Sequence, residues 1–553
     1  MILDRELDAP SDGRSILTRP QNDDRKHAFQ NAAVFVLFFA VALLLQALSG
    51  AYHSEFNGYP DESAHYVTSL MVRQYITAPH FGPPVSFAQD YYAHYPKVAF
   101  GHWPPLLYIV QAVWMGLFSP ARASVLVELA LTTAILAFSV YSQARRWTAG
   151  LRRSLEIPAS LLLGLLTISL PLIQRHTAEE MSETLLTLLC FWSAIYFVRY
   201  LDSERWQDNC LFGIFFALAV LTKGSGWLLT LLPPLALLLT RKLRLLLRPS
   251  FWLAALIVGA TCVPWQLMTM HLVEEGWEGG PRPSLQYTLG ALSGFAVVFL
   301  RIMGPALLVL AFAGVLVLVL APMFKRPVAS APAVMFALVI SDWLFHSLVP
   351  AGVEDRKLII AIPALVLFVL AGVFWLADRL PVPSSFEKWR PAMVALIAAV
   401  FFSAQTFAIP HERHYGYIEA ARYVASDPAL RKATILVSSE SGGEGPFVAE
   451  VAMCEPHPAG VILRATKALA HVSFDADVYG QLFPDAQSIL HYLYQRHVTL
   501  VVLDTFPSSV SFSHNAFLWQ LVRQPERFNL LAAFPNGPAA TSGQVRIYRL
   551  LHP

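Results

Sequence analysis

Apolar residues in this chain come in runs of roughly twenty, the length that an α-helix needs to cross the hydrocarbon core of a bilayer. Short polar segments separate the runs. The pattern predicts a polytopic α-helical membrane protein with about eleven spans. The predicted spans are residues 31–50, 123–142, 157–173, 183–201, 209–222, 226–240, 250–270, 302–321, 330–349, 358–377 and 391–409.

Composition supports this class. Of the 553 residues, 55% are hydrophobic and only 14% are charged, which departs from soluble usage. The net charge of +2 provides no basic face for nucleic acid, so we expect no nucleic-acid partner. Three of the four cysteines fall inside apolar runs and the fourth stands alone, so neither a disulfide framework nor a cysteine-rich metal site is indicated.

One apolar segment, residues 104–118, opens with two prolines and is short for a crossing, so we interpret it as an interfacial or re-entrant helix. With this segment left out, the basic clusters between spans all fall on one side, which the positive-inside rule makes the cytoplasm. Counting it as a crossing would send every cluster after the first outside. The clusters lie at residues 25–26, 145–153, 241–248, 325–326 and 379–390.

This topology divides the chain into three parts. Residues 1–30 are predicted to be a disordered cytoplasmic tail, and residues 31–409 a membrane core that begins with an uncleaved span and whose first outer loop is 51–122. Residues 410–553, after a boundary near His411, are predicted to form a compact extracytoplasmic α/β domain. Strand-like runs there are 434–437, 499–503 and 544–550, and helix-like runs are 418–425 and 486–496.

An acidic pair, Asp61 and Glu62, follows the first span. With Pro60 at its opening, the segment reads as the first turn of a helix that runs to about Ile76. Acids at a helix start interact favourably with the helix dipole, so the pair can be explained by capping alone. The functional interpretation makes Asp61 a general base with His65 on the same face and Glu62 pointing elsewhere. Both interpretations stay open at this point.

A second cluster lies in the same outer loop, at residues 101–108. Its Trp and Tyr side chains could simply anchor the chain at the membrane interface. Alternatively, the cluster is a clamp on a lipid head group, in which His102 or Lys97 donates to phosphate.

Three outer turns each carry a cation. Lys223 interrupts a long apolar stretch, Arg175 lies in a turn at 174–182, and Arg356 directly precedes a span. Each of them could be a side chain that snorkels to the interface. Arg356 has the additional property that a guanidinium can bind phosphate through two parallel hydrogen bonds. Convergence of these turns on one face would favour an anion site.

These residues resemble a family, the polyprenyl-phosphate-dependent GT-C glycosyltransferases, which include protein O-mannosyltransferases and lipid A aminoarabinose transferases. The resemblance covers roughly residues 30–380. Trp103 stands where the family often has Lys, and the Trp-Trp-Asp signature of oligosaccharyltransferases is not found. The matching motifs are Tyr59-Pro60-Asp61-Glu62, His102-Trp103-Pro104-Pro105-Leu106-Leu107-Tyr108, Leu221-Thr222-Lys223-Gly224 and, more weakly, the turn at Arg356.

The resemblance implies a GT-C-like fold in the inner (plasma) membrane with an outward-facing site. Asp61 would accept a proton from an acceptor hydroxyl or amine that attacks the anomeric carbon of a polyprenyl-phosphate sugar with inversion, and Glu62 would be a secondary catalytic residue. No cofactor would be required, although Asp61, Glu62 and His65 could bind a divalent cation. Donor phosphate would be bound by Lys223, Arg356, His102 and Arg175, with His65, Lys97 and Tyr108 as further site candidates.

The expected partners are the polyprenyl-phosphate sugar donor, membrane lipids and an acceptor that is a glycan, lipid or protein. The main alternative is a transporter or flippase for an anionic or lipid-linked substrate, in which Asp61, Lys223 and Arg356 line a translocation path. Two observations count against it: no internal repeat is found, and the ionisable residues lie at span ends. A noncatalytic assembly protein would be favoured if Asp61 proved replaceable.

Overall fold

The computed structural model of the protein describes most of the chain. The described ranges are residues 21–56, 59–78, 82–148, 153–276, 282–379, 389–406, 415–439, 441–455, 457–472, 479–506, 509, 512–535 and 543–551. The predicted domain boundary near His411 lies outside them, as does most of the predicted N-terminal tail.

The first part of the chain is an α-helical assembly. Its α-helices are α1 (Gln21–Ser49), α2 (Glu62–Thr77), α3 (Pro84–His94), α4 (Leu106–Leu117), α5 (Arg122–Trp147), α6 (Arg153–Ser169), α7 (Pro171–Ala178), α8 (Glu183–Ser203), α9 (Trp206–Thr222), α10 (Leu232–Thr240), α11 (Pro249–Gly276), α12 (Leu285–Val315), α13 (Ala321–Met323), α14 (Ser330–Leu348), α15 (Ile362–Arg379) and α16 (Arg390–Thr406). Short 3-10 segments are Ala51–His53, Gly224–Thr230, Leu243–Leu247 and Asp355–Ala361, and Leu316–Leu320 is a π-helical turn.

Within the described residues, every predicted span falls on one helix or on consecutive helical segments. Seven helices in the described ranges are long and apolar enough to cross a membrane, and Glu156–Ser169 with Pro171–Ala178 forms a pair, bent by 59°, that passes the same test. Shorter apolar helices at Trp206–Thr222, Gly224–Thr240 and Met393–Ala404 match the remaining predicted spans. The protein is therefore a multi-pass membrane protein, and the count of eleven crossings stays a prediction.

Two expectations about the core were wrong. Residues 285–301 lie between the predicted spans 250–270 and 302–321 and were therefore expected to belong to a loop. Instead, α12 begins at Leu285, where Ser284 caps the helix by accepting from the Tyr287 N–H at 3.1 Å. Residues 21–30 were expected to be disordered, yet α1 begins at Gln21. Once a helix is nucleated, each further residue adds a hydrogen bond at little cost, so a span readily extends into flanking polar sequence.

Close backbone packing fixes the helices that carry one wall of the site. A Cβ on Gly314 of α12 would overlap the carbonyl oxygen of Phe368, and a Cβ on Gly372 of α15 would overlap that of Leu310. Small residues allow helix backbones to approach in this way inside a membrane, where van der Waals contact drives association. The turn that precedes α15 is thereby held against α12.

The last part of the chain is an α/β domain, as the sequence predicted. Strands β1, β2 and β5 are parallel, β7 runs antiparallel to β5, and β6 pairs with β7, which gives a five-stranded sheet of order β2-β1-β5-β7-β6. Its strands are β1 (Thr434–Ser438), β2 (Val461–Arg464), β3 (Ala470–Val472), β4 (Tyr479–Gln481), β5 (Leu500–Asp504), β6 (Phe528–Pro535) and β7 (Gln544–Leu550), and β3 and β4 form a separate pair. Its helices are α17 (Tyr417–Ser426), α18 (Pro428–Arg431), α19 (Ser441–Cys454), α20 (Ala465–Ala468), α21 (Ala486–Gln495) and α22 (Ser513–Leu521).

This domain packs on the segment between α1 and α5 that contains α2. Apolar residues of α2 and α19 share one buried cluster, which includes Tyr66, Leu70 and Phe447. The Glu55 carboxylate accepts from the backbone N–H groups of Tyr415 and Ile418, at 3.1 and 3.0 Å. The α/β domain and the loop that carries the acidic pair therefore form one packed unit.

Candidate active site

Asp61 lies at the first turn of α2, which ends at Thr77, so the predicted helix is confirmed. The backbone oxygen of Asp61 accepts from the His65 N–H at 2.9 Å, which starts the helical hydrogen-bond pattern. Its side chain accepts a 3.0 Å hydrogen bond from Nη1 of Arg356. The two side chains are only 16% and 14% exposed, so this ion pair is largely shielded from water.

Arg356 is bound by carboxylates from several elements. It lies in the 3-10 turn Asp355–Ala361, where its Nε donates to Glu354 at 2.6 Å and its Nη1 lies 3.9 Å from Glu183. The guanidinium also lies over the Tyr59 ring, 4.7 Å from the ring centroid. The face of the Arg356 guanidinium thus packs on an aromatic ring, and the N–H groups at its edge contact carboxylates.

Lys223 joins the same group through Glu183. The Nζ of Lys223 donates to Oε1 of Glu183 at 2.6 Å, and this carboxylate lies at the start of α8. The tight turn after α9 requires Gly226, because a Cβ there would overlap the backbone of Ala219 and Val220. Glu183 therefore connects the cations of two separate turns.

The turn after α7 contributes from a third direction. The His176 ring stacks on Tyr59 with centroids 5.8 Å apart, and Nε of Arg175 lies 3.9 Å from Glu179. Arg175 is half exposed. The three cation-bearing turns predicted from the sequence thus meet beside Asp61, with Tyr59 between Arg356 and His176.

The charge states around Asp61 follow from burial and neighbours. Burial alone would raise the pKa of the Asp61 carboxyl, but the Arg356 guanidinium, with contributions from His65 and Lys223, brings it below its ordinary value. Burial lowers the pKa of His65 to about 4 although Asp61 favours its charged form. At neutral pH the pair is therefore a carboxylate beside a neutral imidazole.

His65 is held by the second predicted cluster. Its Nδ1 lies 3.1 Å from the Tyr108 hydroxyl, and its ring packs against Trp103 with centroids 4.4 Å apart. Trp103 therefore lies beside the Asp61 helix, at the position where the family often has Lys. The structure brings His65 and Tyr108 together as a buried, neutral wall of the site.

The remaining predicted ligands lie at the edges. Burial lowers the pKa of His102, and its imidazole interacts with the backbone of Leu272 in α11. Nζ of Lys97 donates to the carbonyl oxygen of Pro60 at 2.8 Å, one residue before Asp61. His102 and Lys97 therefore contact residues around Asp61, rather than the ion pairs that Arg356 and Lys223 form.

Glu62 points away from this group. Its side chain is fully buried, accepts from Nη2 of Arg122 at 2.8 Å and accepts from the Glu180 N–H at 3.0 Å. The same guanidinium donates to the carbonyl oxygens of Ala51 and Ser54, at 2.6 and 3.1 Å. Glu62 thus ties the start of α2 to α5 and to the turn after α7.

Two charged residues near the site were missed. Arg301 of α12 is 62% exposed and binds Asp355 at 2.7 Å, directly beside Arg356. Asp342 of α14 is buried and accepts from the Ala361 N–H at 3.0 Å, where the Arg356 turn ends. Each stands in an apolar run, and a lone ionisable residue there is a signal of function or of a structural partner.

No metal cluster accompanies these residues. Within the described ranges, no group of three or more His, Cys, Asp or Glu side chains is arranged to hold a metal ion. Asp61, Glu62 and His65 do not form a common ligand set, since Glu62 is turned towards Arg122. Dependence on a divalent cation stays an open prediction.

Comparison with known proteins identifies the fold. Residues 102–268 match the dolichyl-phosphate-mannose-protein mannosyltransferase family. None of the curated proteins matches the sequence. ArnT from Cupriavidus metallidurans has a similar structure in the apo state (TM-score 0.58, 16% identity) and bound to undecaprenyl phosphate (TM-score 0.56, 15% identity), with 93% of this chain and 97% of ArnT covered in both cases.

An archaeal oligosaccharyltransferase is also similar. AglB from Archaeoglobus fulgidus, in complex with an inhibitory peptide and a dolichol-phosphate, aligns with a TM-score of 0.51 and 13% identity over 86% of this chain and 70% of AglB. At these identities the likeness shows the fold. That fold is the one of the polyprenyl-phosphate-dependent GT-C glycosyltransferases, so the resemblance predicted from the sequence is confirmed.

Proposed function

We propose that this protein transfers a sugar from a polyprenyl-phosphate-linked donor to an acceptor hydroxyl or amine, with inversion at the anomeric carbon. The observation that carries the proposal is the Asp61–Arg356 ion pair, which Glu183 links to Lys223. A carboxylate beside two cations is the minimum set for deprotonating a nucleophile and stabilising a phosphate leaving group.

The reaction balances with these groups alone. The acceptor oxygen or nitrogen attacks the anomeric carbon, and its proton passes to the Asp61 carboxylate. The bond between the anomeric carbon and the phosphate oxygen breaks, and the electron pair leaves with polyprenyl phosphate. Arg356 and Lys223 stabilise the charge that develops on that phosphate, as oriented donors stabilise an oxyanion.

The resting ion pair gives donor binding a role in activating the base. With Arg356 bound at 3.0 Å, the Asp61 carboxylate is stabilised and weakly basic. A donor phosphate that draws the guanidinium away leaves Asp61 in a partly buried site, where burial raises its proton affinity. The base then becomes competent only when the leaving group is in place.

The donor class is supported from two directions. ArnT and AglB, which share the fold, were solved with undecaprenyl phosphate and dolichol-phosphate. In this chain, Arg301 adds a third cation beside Arg356 on an apolar helix, where a phosphate with a lipid tail can reach it. The positive-inside topology predicted from the sequence supports a site at the outer face of the plasma membrane.

The experiment is a transfer assay in proteoliposomes with a panel of polyprenyl-phosphate hexoses and pentoses. Sugar transfer and release of polyprenyl phosphate are measured for the wild type, for Asp61→Asn and for Asp90→Asn, a matched change at an exposed acid of the same outer loop. We expect both readouts to be lost only in Asp61→Asn. Full turnover in that variant would refute the proposal, and movement of an intact donor across the bilayer without cleavage would support the transporter instead.

A further inference from the structure

Three cations meet where the first outer loop contacts the α/β domain. Lys97 comes from the loop, and Arg464 and Lys467 come from the end of β2 and the helix that follows it. We name these three residues the seam cluster. Neither the donor-binding cations nor the acid that forms the proposed base belongs to it.

Hydrogen bonds tie the seam cluster to the residue before Asp61. Lys97 donates to the Pro60 carbonyl at 2.8 Å, and Nη1 of Arg464 lies 3.5 Å from the carbonyl oxygen of Pro96. A Cβ on Gly445 of α19 would overlap Cε of Lys97, so the domain closes directly over this lysine. The seam cluster therefore lies next to the chain segment that carries Asp61.

The charges in this cluster are poorly balanced. The acid bound to it is Glu444, which is buried and lies 3.0 Å from Nε of Arg464. Burial and the neighbouring Arg464 lower the pKa of Lys97 to about 7. Burial, and after it Arg464, also lower the pKa of Lys467. Like charges held close together oppose each other's protonation, and a bound anion would relieve this repulsion.

We propose that the seam cluster binds an anionic group of the acceptor, a phosphate or a carboxylate, and so presents the acceptor's nucleophile to Asp61. This inference rests on the proposed function. An inverting displacement needs the nucleophile and the leaving group on opposite faces of the anomeric carbon. Two separate cation groups suit that requirement, because Arg356 and Lys223 belong to the membrane core, whereas Arg464 and Lys467 belong to the α/β domain.

Lys467 is the residue to vary. It is exposed, whereas the Arg464 guanidinium is only 13% exposed and also holds Glu444. Removing the Lys467 charge should therefore weaken anion binding without disturbing the packing between domain and loop. Lys432→Gln, a change of another exposed lysine in the same domain, is the matched control.

The test measures how fast an amine-acylating reagent labels the Lys97 side chain. The full chain is labelled in zwitterionic nanodiscs, and the extent of labelling is quantified by mass spectrometry. Inorganic phosphate is the probe. At about pH 6.5, a rise of one unit in the pKa of Lys97 would slow labelling roughly tenfold, because only the neutral amine reacts. We expect phosphate to slow labelling to about this extent in the wild type, in Lys432→Gln and in Lys223→Gln, and to have little effect in Lys467→Gln.

Several outcomes would overturn the proposal. Labelling that phosphate does not slow, or slows equally in Lys467→Gln, would show that the seam cluster binds no anion. Protection lost in Lys223→Gln would assign the effect to the donor site. Protection by anionic lipid in the nanodisc without added phosphate would assign the cluster to the membrane surface rather than to an acceptor.

The labelling assay needs no turnover, so it separates this inference from the proposed function. If no sugar is transferred from any donor but protection persists, the function fails and the anion site stands. If transfer occurs, Lys467→Gln should raise the KM for an anionic acceptor several-fold and leave the KM for the donor unchanged. An unchanged KM for acceptors of both anion classes would contradict the acceptor assignment.

Discussion

Arg356 and Asp61 are 295 positions apart in the sequence, and Nη1 of Arg356 donates a 3.0 Å hydrogen bond to Oδ2 of Asp61. The contact joins the start of α2 to the turn that precedes α15. It means that the proposed base and the proposed phosphate ligand neutralise each other before any substrate arrives.

Arg356→Gln should shift the pH dependence of catalysis. In the wild type Arg356 keeps the pKa of Asp61 below its ordinary value, so the carboxylate stays ionised and activity is lost only when the pH falls below that low pKa. Without the guanidinium, burial dominates and raises the pKa. The acid limb of kcat/KM should therefore move to higher pH in the residual activity of Arg356→Gln. An unmoved limb, with exposed Arg326→Gln as control, would show that Arg356 does not set the charge of Asp61.

Replacing Glu62 should cost stability rather than chemistry. Its buried carboxylate binds Arg122, and removing one partner of such a pair typically costs about 3–5 kcal/mol. Thermal unfolding in detergent should show a large loss for Glu62→Ala, while molecules that remain folded bind donor as the wild type does. A Glu62→Gln protein with wild-type stability and no turnover would instead make Glu62 a catalytic residue, as the family resemblance implied.

Lys223 and Glu183 should act as a unit in donor binding. Their side chains are 2.6 Å apart, and Arg356 lies 3.9 Å from the same carboxylate, so losing either one redistributes the charges of all three. A double-mutant cycle of Lys223→Met and Glu183→Gln on donor affinity should give a coupling of roughly 0.5–3 kcal/mol. Additive effects would show that the two residues contact the donor independently.

Asp342 should position Arg356 from within the bundle. Its carboxylate accepts from the Ala361 N–H at 3.0 Å and so fixes the end of the turn that carries Arg356. Asp342→Ala should raise the KM for the donor, and Asp342→Asn, which keeps an acceptor oxygen, should restore most of the affinity. Ser341→Ala at the neighbouring buried position is the control. Equal loss in the Ala and Asn variants would contradict this role.

Much of the fold was accessible from the sequence because its signals are local. Apolar runs predicted the helices, and short strand-like runs predicted β1, β5 and β7. The helix α19 was missed because its Gly- and Pro-containing start, residues 441–446, lacks helical periodicity. The helical extension at 285–301 was missed because the loop was placed by span length rather than by the Ser284 cap.

The site was predictable only in part. The acidic pair and three cation-bearing turns were recognised, but the sequence could not show that Glu183 connects Lys223 with Arg356. Such pairings depend on helix packing between segments far apart in the chain. The different environments of Asp61 and Glu62, adjacent in the sequence, arise because successive helical residues face different directions.

Donor binding and sugar transfer, measured in parallel for the wild type and Asp61→Asn with one reactive polyprenyl-phosphate sugar, test the central claim most directly. A general base contributes about 10²–10⁴-fold to rate, so transfer should fall by that factor in Asp61→Asn. Donor affinity should equal or exceed that of the wild type, because the variant releases Arg356 from its ion pair. Wild-type transfer in Asp61→Asn, or loss of donor binding together with transfer, would contradict the assignment of Asp61 as the base.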